Sequence, residues 1–117
     1  MPAAATGVDF DLAITGISGS GLSRTVAAQI TNLGTADAHN VWGKAEAFSD
    51  GSRIKLSGKE YLRVDVGTLK AGESTVKETT LSFSITDGLK IAQKGVLLEL
   101  TVFSDEGTET FSYDYKL

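Results

Sequence analysis

His39 is the only histidine in this 117-residue sequence, so a Ser-His-Asp arrangement would have to use it. Such a triad needs a nucleophile and a base within hydrogen-bond distance, with a carboxylate that orients the base. Asp37 lies nearby, and Ser23 and Ser49 are the candidate nucleophiles. The sequence contains no G-x-S-x-G segment, the sharp turn that exposes the nucleophile of many hydrolases. We interpret His39 as a turn residue that enters a strand, and we predict no catalytic residues.

Metal binding has little support in the residue types. One histidine and no cysteine fall short of the usual zinc ligand set. Four acidic residues in predicted turns offer the hard oxygen ligands that calcium prefers, but they lack D-x-D-x-D-G spacing, and Asp is common in turns: Asp50, Asp87, Asp105 and Glu106. The 15 acidic residues are spread over strands and turns, which gives no reason to expect a glycosidase pair across a cleft. We predict no metal and no cofactor.

Four aromatic residues are the candidate contacts for a partner: Trp42, Tyr61, Tyr113 and Tyr115. Exposed aromatic rings on a sheet can stack on sugar rings or anchor a protein, because they combine a large area with a polar tip. The alternative is that these rings only cover the ends of the core. Both interpretations remain open at this point.

The elements that must position these rings are strands, because period-2 alternation dominates the chain. The first two strands place their apolar rows inward: Phe10, Leu12 and Ile14, then Val26, Ala28 and Ile30. The third strand, residues 40–48, should place its small residues inward, because Lys44 and Glu46 are costly to bury unpaired. Trp42 then points outward. Large residues from elsewhere should fill the space that the small ones leave: Phe10, Phe83, Leu98 and Phe103.

The second half of the chain continues the pattern. After a turn at residues 50–51, a short strand near Ile54 and a strand over 61–66 are predicted. On a strand over 74–86, Val76 and Leu81 share a face only if a bulge intervenes; otherwise Thr79 lies on the inward row. Residues 87–94 suit one helical turn. The last two strands, over 96–103 and 108–115, complete an antiparallel β-sandwich of about seven strands.

Turn geometry explains several small residues. Asn32 can hydrogen-bond to nearby backbone and tolerates left-handed angles, and we expect Gly34 to supply a positive φ. Gly67 and Gly72 mark a tight connection of the same kind. We assign all four to turns and none to ligand contact.

Composition limits the possible partners and the domain organisation. A net charge of −4 with scattered basic residues argues against a nucleic-acid-binding surface. No apolar run approaches the roughly 20 residues that span a bilayer, so direct membrane insertion is not expected. Residues 1–8 lack the features of a signal peptide and are interpreted as a flexible lead-in. Residues 9–117 are predicted to form a single β-sandwich domain.

Two segments resemble a known family. Residues 29–41, with Asn32, Gly34, Ala38 and Val41, resemble the V-x-N-x-G-x-x-x-A-x-x-V signature of the CARDB family, the cell-adhesion-related domains of bacterial and archaeal surface proteins. Residues 66–74 are similar to the L-x-A-G-E-S turn of the same group, although the polar excursion over 52–59 and the final strand depart from it. The resemblance implies an immunoglobulin-like sandwich that serves as a non-catalytic module.

The function expected from this sequence is a structural or adhesion module of a secreted or cell-surface prokaryotic protein. Such a module would contact a protein or glycan partner and exist as a monomer or with weak self-association. A carbohydrate-binding module is one alternative, and a small assembly subunit that pairs through an edge strand is another. An enzyme is not expected.

Overall fold

The chain folds into two antiparallel sheets packed face to face, in a computed structural model that describes residues 7–115. The smaller sheet has the order β1-β2-β6, and the larger sheet has β3 at its centre, with β7 and β8 on one side and β4 and β5 on the other. The strands are β1 (Phe10–Ser18), β2 (Ser23–Asn32), β3 (Ala38–Ser49), β4 (Ser52–Ile54), β5 (Leu62–Leu69), β6 (Ser74–Ser82), β7 (Val96–Phe103) and β8 (Thr108–Tyr115). This confirms the predicted antiparallel β-sandwich, and the three-residue β4 brings the strand count to eight.

The predicted inward rows fill the space between the sheets. Phe10, Leu12, Val26 and Ile30 are all buried there. The core has two clusters along the long axis. One is built around Ile54, Leu56, Ile91 and Leu98, and the other around Val8, Phe10, Leu69 and Val102. Burial of these side chains provides the main driving force for folding.

The inward row of β3 is the predicted one. Val41, Ala45 and Ala47 are buried, whereas Trp42 on the opposite row is half-buried on the outer face. The prediction that Phe103 fills the core is wrong. Phe103 pairs directly with Trp42 across β3 and β7, and residues opposite each other in a sheet share a face.

Strand β6 ends earlier than predicted because a helix begins after it. Helix α1 (Ile85–Lys94) starts at the N-cap Ser84, whose side chain accepts a hydrogen bond from the backbone N–H of Asp87 at 3.1 Å. It ends at Gly95, which has φ 78°. The register between β2 and β6 runs without a bulge, so Thr79 lies on the inward row and Val76 is 55% exposed.

Asn32, at the end of β2, joins the β2–β3 turn to the end of β5 through its side-chain hydrogen bonds. Asn32 is fully buried, and its Nδ2 donates to the carbonyl oxygens of Ala36 at 2.8 Å and Leu69 at 3.1 Å. Its Oδ1 accepts from the N–H of Gly34 at 3.0 Å. Gly72 lies in the predicted connection with a positive φ, but the assignment of Gly67 to a turn is wrong: Gly67 lies within β5, where its positive φ accompanies a register shift against β3.

Gly34 does not have the positive φ that was predicted for it. The reason for glycine here is the close approach of the chain before β1: a Cβ on Gly34 would lie 2.2 Å from the carbonyl oxygen of Gly7 and 2.7 Å from Cα of Val8. The sequence signal therefore marks a backbone contact between distant segments.

The segment before β1 joins the fold earlier than the predicted boundary at residue 9. The carbonyl oxygen of Gly7 accepts hydrogen bonds from the N–H groups of Thr35 and Ala36, and Val8 is 2% exposed. Residues 1–6, the rest of the predicted lead-in, lie outside the described part of the chain. Gly7 lies beside the β2–β3 turn, whereas Tyr115 pairs with Val96, which follows helix α1 at the opposite end of the sandwich.

Candidate functional site

The outer face of the five-stranded sheet carries a group of aromatic and basic side chains that we call the aromatic face. The side chains at alternate positions of β3 point away from the core, and the register places residues of β5 and β7 beside them. Tyr61 and Arg63 are two residues apart, so their side chains point to the same outer face. They lie on the β5 side of β3, opposite the β7 side. The aromatic face is defined as Trp42, Lys44, Phe48, Arg53, Tyr61, Arg63 and Phe103.

Trp42 is the centre of a three-layer stack. Its ring centroid lies 4.2 Å from that of Phe103, with 13° between the ring planes. The guanidinium carbon of Arg63 lies 4.1 Å from the centroid of the same ring. Two groups this close cannot share one side of the ring, and they come from strands on opposite edges of β3. Both faces of Trp42 are therefore covered, and only its edge remains for contact.

The other two rings of the aromatic face each meet a cation. Nζ of Lys44 lies 5.0 Å from the centroid of Tyr61, and the guanidinium carbon of Arg53 lies 5.0 Å from that of Phe48. These distances fit cation–π contacts. Tyr61 is 46% exposed, and residues 59–63 line an open depression of about 420 Å³ beside it.

Each cation of the aromatic face also has a carboxylate. Glu46 accepts from Nη1 of Arg53 at 2.7 Å and lies 3.8 Å from Nζ of Lys44. Asp65 accepts from Nε of Arg63 at 2.9 Å. Two carboxylates thus offset three cations and leave a net charge of +1, so the surface is aromatic and only weakly basic, in contrast to the strongly basic surfaces that bind phosphate backbones.

The four sequence-predicted contact residues do not come together. Trp42 and Tyr61 lie on the aromatic face, whereas Tyr113 and Tyr115 lie on the inner row of β8 and pack against the core clusters. The hydroxyl of Tyr113 donates to the carbonyl oxygen of Leu12 in the facing sheet. Burial raises the pKa of Tyr113 above 10.0, and the charge of Asp11 adds to the effect.

Sequence reasoning missed Arg63 and Phe103 as members of the surface. The sequence did indicate an outward position for Phe103. Phe103 and Leu97 are an even number of residues apart in β7, so they share the face opposite to that of Leu98 and Val102. Arg63 carried no such signal, because its position depends on the pairing of β5 with β3.

His39 forms a pair with Glu106 and not with either candidate serine. Its Nδ1 lies 2.6 Å from Oε2 of Glu106, while Oε1 of the same carboxylate accepts the backbone N–H of His39 at 2.8 Å. Ser49 is at the other end of β3, about 33 Å away at 3.3 Å per residue, and its hydroxyl donates to the carbonyl of Gly95. Ser23 begins β2 at that same end. The residues considered for a triad are thus separated.

The pKa of His39 is expected above 6.5 because the hydrogen bond to Glu106, and then the charge of Glu106, stabilise the imidazolium. A nuclear magnetic resonance titration of the ring protons measures it. Glu106→Gln should return the pKa towards 6.5, whereas Asp37→Asn, which removes a weaker charge effect, should lower it less. Equal effects of the two variants would contradict this assignment.

The same pair gives a stability window. Because the pKa of His39 is higher in the folded than in the unfolded state, protonated His39 stabilises the fold. This contribution is present below pH 6.5 and is lost as the pH rises through the folded-state pKa. Glu106 has a lowered pKa, mainly from its hydrogen bonds with His39, so its contribution is lost as the pH falls from 4.5 through the folded-state value.

The four acidic residues considered as calcium ligands do not form one site. Asp50 and Asp87 lie near the α1 end, whereas Asp105 accepts from Nδ2 of Asn40 at 2.7 Å beside Glu106 at the opposite end. Among residues 7–115, no group of three or more His, Cys, Asp or Glu side chains is arranged to hold a metal ion. Within the same residues, no helix is long and apolar enough to cross a membrane.

The fold, with its two antiparallel sheets and face-to-face core, defines an immunoglobulin-like β-sandwich. The chain belongs to the archaeal immunoglobulin-like domain family, whose model matches residues 11–117. This confirms the predicted fold class, while the narrower resemblance to the CARDB family stays a prediction. A search among curated proteins finds no match.

Solved structures share the fold at low identity. A putative late embryogenesis abundant protein matches with a TM-score of 0.56 and 10% identity, over 93% of this chain and 69% of that one. Spo0M, a sporulation control protein from Bacillus subtilis, matches with a TM-score of 0.55 and 10% identity, over 94% and 49%. β-Glucosidase 3B from Thermotoga neapolitana matches with a TM-score of 0.50 and 17% identity, but this chain spans only 17% of its length. These likenesses show the fold alone.

Proposed function

We propose that this domain is a non-catalytic structural and adhesion module of a secreted or cell-surface prokaryotic protein, and that its aromatic face contacts a protein partner. Membership of the archaeal immunoglobulin-like family supports a structural module. Among residues 7–115, the only histidine pairs with Glu106, and the candidate nucleophiles Ser23 and Ser49 lie at the opposite end of the sandwich, which supports a role without catalysis.

The observation that carries the choice of a protein partner is the stack at Trp42. A sugar ring binds an aromatic side chain by lying flat on its face, but Phe103 and Arg63 cover both faces of this one. Protein interfaces, in contrast, use Trp, Tyr and Arg as central contact residues, and they benefit when the side chains are held in place before binding. The stack holds Trp42 and Arg63 in this way.

Charge pairing supports the same choice. Glu46 and Asp65 offset two of the three positive charges of the aromatic face, so the partner does not need to be strongly acidic. A surface of aromatic side chains whose charges are mostly paired resembles the composition of protein contact surfaces. Tyr61, at 46% exposure, is the ring with the most accessible area for a partner.

The test is binding of the fluorescently labelled domain to intact cells of the source organism. We expect saturable binding that is removed by protease treatment of the cells and kept after periodate oxidation of their glycans. Tyr61→Ser and Arg63→Ser should each weaken it about tenfold or more, as truncation of a central interface residue does.

A matched control comes from the opposite sheet. Val76 is 55% exposed on β6, and Val76→Ser should leave binding within about twofold of the unchanged domain. Thermal melting of each variant shows whether it is folded. Binding that is lost after periodate but not after protease would favour the carbohydrate-binding alternative. Equal binding by all variants would overturn the proposed surface.

A further inference from the structure

The edges of the two sheets differ in how they are protected. An edge strand presents unpaired N–H and C=O groups that can pair with another chain, and proteins block such edges with side chains, bulges, charges or very short strands. Here the edges are β1 and β6 in the smaller sheet, with β8 on one side of the larger sheet and β4 and β5 on the other.

Side chains of β8 block the edge of β1. The N–H of Phe10 donates to Oε1 of Glu109 at 2.9 Å, and the carbonyl oxygen of Leu12 accepts from the hydroxyl of Tyr113. A register shift between Ile14 and Gly16 adds a bulge to the same strand. A further strand cannot pair along β1 without displacing these contacts.

The other protected edges use different devices. On β6, the carbonyl oxygen of Ser82 accepts from the N–H of Ser57 at 2.8 Å, and its N–H donates to Oγ of Ser57 at 3.2 Å. Strand β4 has only three residues. Strand β5 pairs with β3 through two register shifts and carries the exposed charges of Arg63 and Asp65.

Along residues 108–115, strand β8 has neither a bulge nor, within the described chain, a hydrogen bond from another segment to the backbone of its open edge. Its exposed charge, Asp114, lies near the end of the strand. The strand pairs with β7 from Val96–Tyr115 to Phe103–Thr108 with no register shift. Its inner row leaves three aromatic rings half-buried: Phe111, Tyr113 and Tyr115. The open edge therefore combines free backbone groups with partly exposed aromatic area.

We propose that β8 pairs with β8 of a second copy of this chain, antiparallel about a two-fold axis at Phe111. This register sets Thr110 opposite Ser112 and Thr108 opposite Asp114, so no like charges face each other on the outer row. On the inner row Phe111 meets Phe111, and Glu109 meets Tyr113. The five-stranded sheets of two copies become one continuous sheet of ten strands.

The test is sedimentation equilibrium of the full 117-residue chain over a wide concentration range. We expect the average mass to rise from 12.3 kDa towards the dimer as concentration increases. Thr110→Lys together with Ser112→Lys sets lysines opposite each other and should weaken association about tenfold or more. The matched control, Val76→Lys with Ser82→Lys on the edge strand β6, makes the same change in charge and should change association less than about twofold.

Cross-linking tests the register. The chain has no cysteine, so an equimolar mixture of Thr110→Cys and Ser112→Cys should form a mixed disulfide under mild oxidation. Thr110→Cys mixed with Val76→Cys should not. The proposal would be overturned if the chain remained a monomer at every concentration up to about 1 mM. A dissociation constant of that size corresponds to a binding free energy of only about 4 kcal/mol. Equal loss of association in the β8 and β6 lysine variants would also overturn the proposal.

Discussion

Asn32→Ala is expected to lower the free energy of unfolding by about 3 to 5 kcal/mol, because it leaves several buried polar groups without partners. The side chain is fully buried and joins the carbonyl oxygens of Ala36 and Leu69 to the N–H of Gly34. Its removal also leaves a small cavity. Urea denaturation followed by far-ultraviolet circular dichroism measures the change.

The control for this prediction is the neighbouring Thr31→Ala. The Thr31 hydroxyl pairs with that of Ser74 at 2.8 Å on the exposed face of the same sheet, so its loss should cost less than about 1 kcal/mol. If both variants lost the same stability, the buried hydrogen bonds of Asn32 would not be the cause.

Gly34→Ala is expected to destabilise the domain by about 3 kcal/mol or more, since the new Cβ would overlap with backbone atoms. The Cβ would lie 2.2 Å from the carbonyl oxygen of Gly7 and 2.9 Å from the nitrogen of Asp9. The segment before β1 must then move away, which exposes Val8 and breaks the hydrogen bond from the N–H of Leu33 to the carbonyl of Asp9. Denaturation gives the size of the loss, and amide hydrogen exchange at Leu33 shows its location.

Gly16→Ala is the matched control for the glycine substitution. Gly16 has no atom within 4 Å of its ideal Cβ position and no positive φ, so alanine should change stability by no more than about 0.5 kcal/mol. If Gly34→Ala changed the free energy of unfolding by as little as Gly16→Ala, the segment before β1 would have moved aside at low cost. That result would contradict the close packing of this segment against Gly34.

Local patterns predicted much of this fold because alternation and turn chemistry act over short distances. The inward rows of β1 and β2 followed from the alternation of their apolar residues, and that of β3 followed from the cost of burying Lys44 and Glu46. The helix was predicted only as one turn, and Ser84 and Gly95 explain its full length. What local patterns could not supply was contact between segments far apart in the chain. Position 34 requires glycine because the backbone of Gly7 lies against it. Asn32 is required partly because its side chain donates to the carbonyl oxygen of Leu69.

The candidate surface was predictable in part for the same reason. The outward position of Trp42 followed from its own strand, because a single strand fixes which residues share a face. The stack around it required the pairing of β3 with β5 and β7, which determines that Arg63 and Phe103 are its neighbours. The separation of Tyr113 and Tyr115 from Trp42 likewise depends on which face of β8 meets the other sheet, and periodicity alone does not decide that.

Gly7 and Tyr115 lie at opposite ends of the sandwich, and this placement leads to an expectation about how the domain responds to tension. A pull on these two residues acts along the axes of β1 and β8. Each of these strands is held to its neighbour by a ladder of eight residue pairs. Because the load lies parallel to the strands, it is shared across each ladder, and the hydrogen bonds must shear together instead of opening one at a time. We therefore expect the domain to resist a load in this direction more strongly than a load applied across its strands.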